Sequence, residues 1–498
     1  MSSVWFDTAT IPDTPADEFR DGARYQTVVA GAGLTGLATA VLLARQGHQV
    51  TVLEARTMAA VTTGHTTGKV SLLQGTNLSR IARFHSSEVV RAYVEANRAA
   101  MQWLLGYLDE RGIDAPRRTA YTYANRPTAV PALRAELTEA DRVGLPVAWT
   151  TETDLPFTVA GAIRLEDQAQ INAVDLVRAL AAELHTLGGV RVEGVRVTGT
   201  SATRPLTVRT NRGEVRADRL VLATGTPVLD RGGYFAKLSP QRSYATTYRL
   251  SEGEPPTGMY LSVDKPSRSL RTVTDGAEEL LLVGGNGHTV GRSPSPQSAL
   301  DDLHRCVQDY FPGAQRTHSW SAQDYRSVNM VPFIGTLPRG GGRIHVATGY
   351  NKWGMTNAVA AALALSGDIL GSPLPWAQKL GRRVTKPRGL LELAQINAGV
   401  GVHLAKGWIG AELATLADQP PAEGEGTVGR DGLEPVATST VDGATCRLSA
   451  VCTHLGGIVR WNDAERSWDC PLHGSRFAAD GTVLEGPAVH DLPSREAD

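Results

Sequence analysis

Cysteine is scarce in this chain: Cys306, Cys446, Cys452 and Cys470 are the only four among 498 residues. So small a supply excludes a disulfide-stapled secreted scaffold and fits a reducing, cytoplasmic setting. Long hydrophobic runs are absent too. No stretch reaches the ~18 apolar residues a membrane span needs. The acidic, proline-containing start from Met1 to Asp21 lacks the apolar core of a signal peptide. Net charge is also missing: Lys+Arg 50 against Asp+Glu 51 leaves −1, which argues against nucleic acid or an anionic membrane surface as main partner. The rest of the composition, 42% hydrophobic and 20% charged, is that of an ordinary globular protein. The chain is too long for one core, so two or three domains are expected.

Two of the scarce cysteines belong to a pattern. Cys452-Thr-His454 and Cys470-Pro-Leu-His473 form two Cys/His pairs, separated by the fifteen residues Leu455 to Asp469. Two thiolates and two imidazoles ligate a [2Fe–2S] cluster in which one iron takes sulfur and the other nitrogen. Zinc uses the same ligand types, but pairs in glycine-rich loops, with no helix to carry the histidines, suit it poorly. The flanks Leu455-Gly456-Gly457, Gly474-Ser475-Arg476-Phe477, Asp480-Gly481 and Gly486-Pro487-Ala488 complete a C-terminal segment that resembles a Rieske domain. The resemblance implies Cys452, His454, Cys470 and His473 as cluster ligands. Members of that family usually carry a further cysteine beside each pair, joined in a disulfide. Here those positions hold Gly457 and Leu472, which implies loops held by packing, with Leu472 against Leu455. Ser475 keeps a hydroxyl found in high-potential members and Phe477 replaces a tyrosine, which together imply an intermediate potential.

A second constellation lies near the N-terminus. The apolar strand Thr27–Ala30 runs into Gly31-Ala-Gly33-Leu34-Thr35-Gly36, and a helix follows with Leu37, Ala40, Val41 and Ala44 on one face. The next strand ends at Glu54-Ala55-Arg56, which places an acidic residue 23 positions past Gly31. This is the dinucleotide fingerprint. Gly31 permits the tight turn, Gly33 admits a pyrophosphate to the helix N-terminus, Gly36 lets helix and strand pack, and Glu54 accepts ribose hydroxyls. Four further segments resemble the D-amino-acid oxidase superfamily and imply FAD. They are Thr62–Lys69 with Thr66 and Thr67, the adenine strand at Val197, Arg219–Gly225 with Thr224 and Gly225, and Arg343–Asn357 with Gly349, Trp353, Gly354, Met355 and Thr356. Gly285-Asn-Gly287-His-Thr-Val290 lacks a third glycine and reads as a loop, so no second nucleotide site is expected.

Helical periodicity marks Ser87–Arg111, Ala173–Leu187 and Leu390–Leu416, and Asp418–Gly426 reads as a Pro/Gly/Glu linker. The expected architecture is an α/β Rossmann-type FAD-binding domain interleaved with an antiparallel-sheet α+β substrate domain, then an all-β Rieske domain. The oxidoreductase part spans 1–385: nucleotide-binding about 22–85, 160–235 and 336–385, substrate domain about 86–159 and 236–335. A helical segment and linker (386–426) leads to the Rieske domain at 427–498.

Nearly the whole chain resembles bacterial FAD-dependent oxidoreductases of the D-amino-acid oxidase superfamily fused to a Rieske domain. The resemblance implies an enzyme that oxidises an amine or amino-acid-like substrate by hydride transfer to flavin N5. Electrons then pass singly through the [2Fe–2S] cluster to a redox partner protein, a quinone or oxygen. His65, Lys69 and Lys352 are the candidate catalytic residues; Arg242 and Arg326 are candidate carboxylate clamps, and Tyr244, Tyr248, Tyr325 and Tyr350 candidate pocket walls. The alternative reverses the flow: an external ferredoxin reduces the cluster, and the flavin works as reductase or monooxygenase.

Overall fold

A right-handed crossover from strand through helix to parallel strand places the helix on the sheet face, so the strand–glycine–helix unit near the N-terminus seeds a layered α/β sheet. The computed structural model describes residues 2–201, 203–383, 386–414, 416 and 419–495. Arg24–Ala30 lies between Val50–Leu53 and Gly213–Leu222, parallel to both. Ile344–Thr348 continues the parallel order on one side and Val190–Val192 on the other. The helices Leu34–Ala44, Gly354–Ile369 and Ser87–Asp109 share one apolar core over this sheet. Gly36 makes the layer possible, because a Cβ there would collide with the Gly31 carbonyl.

The second sheet has nine strands, and its longest, Leu238–Arg249, Glu278–Thr289 and Gln315–Ser327, are antiparallel neighbours. All its pairings are antiparallel except that between Met259–Ser262 and Arg117–Ala124. Strand Gly161–Gln170, expected with the nucleotide-binding part, belongs to this sheet and pairs with Arg117–Ala124. The helix Ser87–Asp109, expected with the substrate part, packs on Gly354–Ile369 instead. Interleaved chains exchange elements this way because a helix joins whichever layer takes its apolar stripe. Gly285–Thr289 is also a correction: these residues continue the strand Glu278–Thr289, pairing with Leu238–Arg249. Strand residues without side chains weaken the alternation that reveals a strand.

The C-terminal region holds two antiparallel sheets. One contains Gly426–Asp431, Glu434–Val441 and Ala444–Ser449; the other contains Arg460–Asn462, Ser467–Asp469, Arg476–Ala478 and Val483–Glu485. The preceding helix, Pro387–Leu413, presses Val400, Leu404, Trp408 and Ala411 onto this all-β core. Asp418, where the expected linker starts, lies outside the described residues. No described helix is long and apolar enough to cross a membrane.

The N-terminal segment is built into the fold. Trp5 is buried; its indole N–H donates to the Thr66 carbonyl at 2.5 Å, and Asn172 donates to its carbonyl at 3.0 Å. It therefore props the Thr62–Lys69 segment from behind. Replacing a fully buried indole removes its transfer energy and leaves a cavity. Trp5→Ala should lower stability by about 3–5 kcal/mol, read as a fall in the urea unfolding midpoint.

Candidate functional site

In an open parallel sheet, the crevice beyond the strand C-termini receives the ligand. There the structure has a cavity of about 900 Å³ with walls from both large sheets. Gly31, Gly33, Leu34 and Thr35 line it, together with Glu54, Ala55, Arg56 and Val197. The helix Leu34–Ala44 starts there with Gly33 as its side-chain-free cap, which points amide N–H groups at the space. Glu54 accepts from the amides of Ala32 (2.8 Å) and Arg56 (2.9 Å), and burial raises its pKa. Thr66, Thr67, Thr224 and Gly225 line it too, as do Trp353, Gly354 and Met355, where the helix Gly354–Ile369 begins. A cavity of this volume that receives two helix N-termini and bare glycine backbone fits a dinucleotide.

Three predicted cofactor contacts sit behind the wall. Gly36 holds helix to strand. Gly349, at φ +81°, packs against Ser327 and Leu238, where a Cβ would come within 3.2 Å of neighbouring side chains. Thr356 is buried and accepts from Gln74 at 3.1 Å. All three therefore serve the packing around the cavity.

His65, Lys69 and Lys352 all line the cavity. The His65 Nδ1 lies 2.7 Å from the Val61 carbonyl and therefore carries the proton; burial lowers the ring's pKa, which leaves a neutral imidazole with Nε2 as acceptor. Lys69 donates to the Tyr260 carbonyl and the Ser269 hydroxyl, both at 2.7 Å, and burial drives its pKa far below that of a free lysine. Lys352 donates to Ser243 Oγ at 2.6 Å; its pKa too is lowered by burial. A Cβ on Gly287 would fall on that amine, so the Gly-Asn-Gly strand segment makes room for Lys352. The Lys352 amide donates to Asp324, whose carboxyl is pushed up to about 6 by burial. Sequence reasoning missed Asp324, which no motif marks. Tyr244, Tyr325 and Tyr350 line the cavity as expected. Tyr248 does not: it is buried in the core and stacks on His304.

Arg242, a candidate clamp on sequence grounds, has a structural role. Its guanidinium is buried and pairs with Glu465 and, at 3.1 Å, with Glu485, both from the C-terminal domain. It cannot reach a substrate carboxylate. Arg326 stays at the cavity wall but pairs with Glu392 at 3.2 Å.

The two cluster loops meet the same region. Cys452 and Cys470 are buried free thiols, hydrogen-bonded to each other. The Cys470 S–H holds the Cys452 thiol down to about 7, and the amides of His454 and Leu455 and the Ser475 hydroxyl assist. Amides of Leu472 and His473 point at the Cys470 sulfur. The His454 and His473 rings stand 5.2 Å apart, nearly perpendicular. His454 Nδ1 is buried with no partner among the described residues, and burial beside His454 pushes His473 down to about 4. Two sulfurs ringed by N–H donors, beside two histidines of which one keeps a buried, unpartnered Nδ1, fit an iron–sulfur cluster with mixed ligation. Leu455, expected to pack on Leu472, is 45% exposed instead. Leu472 covers Gly457, where a Cβ would stand 2.6 Å from Leu472 Cδ1. The two positions are complementary in volume.

The loops also bond to the flavin-side domain. Gln323 donates to the Tyr325 hydroxyl (2.9 Å) and to the Gly474 carbonyl (2.8 Å), next to His473. Tyr325 donates to the Gly486 carbonyl at 3.1 Å. Asp230 lies 3.1 Å from His454 Nε2, and Phe235 sets its ring edge-on to both histidines at 5.6 and 5.2 Å.

Residues 26–367 match the family model for FAD dependent oxidoreductases, and residues 419–496 that for the Rieske [2Fe-2S] domain. YhfW of Bacillus subtilis, named provisionally as a Rieske 2Fe-2S iron-sulfur protein, is 30% identical over 501 aligned residues, covering 100% of this chain and 98% of that one. Among solved structures, glycine oxidase from Geobacillus kaustophilus superposes with a TM-score of 0.60 at 19% identity, over 71% of this chain and 96% of that one. L-proline dehydrogenase from P. horikoshii gives 0.58 at 16% identity, over 72% and 98%. These two likenesses establish the fold.

Two predictions follow from the packing. Gly457→Ala should cost about 1–3 kcal/mol by overpacking, and Leu472→Ala in the same chain should recover part of it; thermal melts of the four forms of that cycle measure the coupling. The second concerns acid. Burial opposes ionisation of Glu465 and Glu485, but the guanidiniums of Arg242 and Arg476 outweigh it and hold both below the usual carboxylate range. Depressed carboxylates stabilise above their unfolded value and lose that contribution as pH falls. The docked C-terminal domain should therefore stay closed above about pH 4.3 and loosen below it, seen as a growing radius of gyration in small-angle scattering.

Proposed function

The chain belongs to the FAD-dependent oxidoreductase family and carries a C-terminal Rieske [2Fe-2S] domain, and on that premise we propose that it oxidises an amine or amino-acid-like substrate and exports the electrons one at a time. FAD supplies a two-electron acceptor when bound and the cluster a one-electron carrier, a pairing that turns hydride chemistry into single-electron traffic. The observation that carries this reading is Gln323, whose amide joins a cavity wall to the cluster loop through Tyr325 on one side and Gly474 on the other.

The substrate's amine must be neutral before its neighbouring carbon gives up a hydride. Lys352 suits the task of taking that proton: its amine is desolvated, held by Ser243 and set beside Asp324. His65 presents a neutral acceptor nitrogen, and Lys69 holds two walls of the cavity together through Tyr260 and Ser269. With Arg242 committed elsewhere, a carboxylate on the substrate would meet Arg80 or Arg326. The four free cysteines suit a cytoplasmic enzyme.

Anaerobic mixing with candidate amines tests the proposal by stopped-flow absorbance. The flavin band should bleach first and the cluster band second; a cluster that stays oxidised while the flavin bleaches rejects the relay. Gln323→Leu should widen the interval between the two phases by about tenfold, the scale of a 1.4 kcal/mol barrier.

A further inference from the structure

An electron on the cluster must leave the protein, and the surface over the cluster loops is built unlike the rest. Arg292 donates from Nε to the Pro471 carbonyl at 2.9 Å, one residue from Cys470. A Cβ on Gly399 would come 3.6 Å from the Arg292 guanidinium, which puts the helix Pro387–Leu413 alongside. Further along that helix Trp408 donates to the Gly456 carbonyl at 3.1 Å, seating it on the first loop. His403 is disfavoured from protonating first by burial and then by the charges of Arg292, Arg460 and Lys406, which places the three cations around it. Lys406 and Arg460 are exposed, and none of the three arginine and lysine side chains is in an ion pair among the described residues. Glu412 is the one acidic residue between Val400 and Leu413. The same helix exposes two apolar groups, Val402 at 51% and Ile409 at 56%, and the first cluster loop, on which Trp408 is seated, exposes Leu455 at 45% next to ligand His454.

We propose that this face docks a small, acidic, one-electron carrier protein, an inference that rests on outward electron flow through the cluster. A few apolar contacts inside a cationic rim are the anatomy of a transient redox encounter, whose interface stays below about 1,200 Å². An anionic membrane is the weaker fit, since electrostatic capture there takes a cluster of about four to eight Lys/Arg. Each encounter moves one electron from the reduced cluster to the oxidised carrier. Two encounters therefore clear the two electrons of each substrate molecule, and the two protons go to solvent.

The test uses the full-length holoprotein, its cluster reduced with dithionite and desalted, mixed anaerobically with oxidised plastocyanin, an acidic blue-copper carrier. Loss of the copper band gives the rate, and calorimetric titration with redox-inert zinc-substituted plastocyanin gives the affinity. The wild type should slow at least about tenfold as salt rises from low to physiological strength. Lys406→Glu with Arg460→Glu should lower rate and affinity at low salt about tenfold and flatten the salt dependence. Lys379→Glu with Arg382→Glu, at the helix Pro375–Gly381 and its C-cap in the flavin-side domain, carries the same change of −4 and should match the wild type. Unchanged rate and salt slope in the double variant overturn the proposal. So does sedimentation of the wild type with phosphatidylglycerol vesicles that the double variant loses, which would assign the face to a membrane. Because the cluster is reduced chemically, a failure of substrate to reduce it leaves this result standing.

Discussion

Two arginines and three carboxylates, buried between the domains, decide where the cluster sits. Arg242 comes from the large antiparallel sheet and Arg476 from the cluster domain. Glu465, Asp469 and Glu485 fill the space around them, with Arg476 2.8 Å from Glu485 and 2.9 Å from Asp469. Ser321 adds a hydrogen bond to Glu465 at 2.7 Å. Desolvating such ions costs several kcal/mol each, and their mutual attraction, about 4 kcal/mol per contact at an effective dielectric of 20, roughly offsets it. The network is therefore a poor source of net stability and a strong source of position. Sliding the cluster domain by one side chain would strand a buried charge, at about 3–5 kcal/mol. Electron transfer needs that kind of fixed geometry.

The same network shapes the cavity. Glu485, anchored by both arginines, and Gly486, bonded by Tyr325, form part of its wall, so the cluster domain helps enclose the space where the flavin binds. Closing the site therefore depends on the docked domain, and the docked domain depends on Arg242. That arginine sits on the sheet that faces the ligand, where a carboxylate clamp was expected. Its commitment to Glu465 and Glu485 moves substrate recognition elsewhere.

What the sequence made legible was local. The Cys/His pairs, the Gly31–Gly36 turn and the closing strand–helix segment each place their chemistry within a few residues, so spacing alone exposes them. The relations that join them span the chain: Arg242 to Glu465, Gln323 to Gly474 and Asp230 to His454 each link residues more than 150 positions apart. No period or motif encodes such a pair. Smaller misreadings have the same root. Gly285 and Gly287 read as a loop because the groups that exclude their side chains, the Ser267 carbonyl and the Lys352 amine, lie on other segments. Leu472 was matched with a leucine of the other ligand loop, whereas the space it fills is that beside Gly457.

Burial also sets the electrostatic character of the site. Lys69 and Lys352 are shifted toward their neutral forms, His65 is held neutral, and Asp324 stays partly protonated near pH 6. Four titratable groups around one cavity thus lean away from charge. Arg80 and Arg326 line the same cavity, so the proposed oxidation would draw on desolvated amines to accept a proton and on guanidiniums to meet a carboxylate. The other electrostatic task, alignment, falls to the domain junction, where the buried charges are paired among themselves and hold geometry.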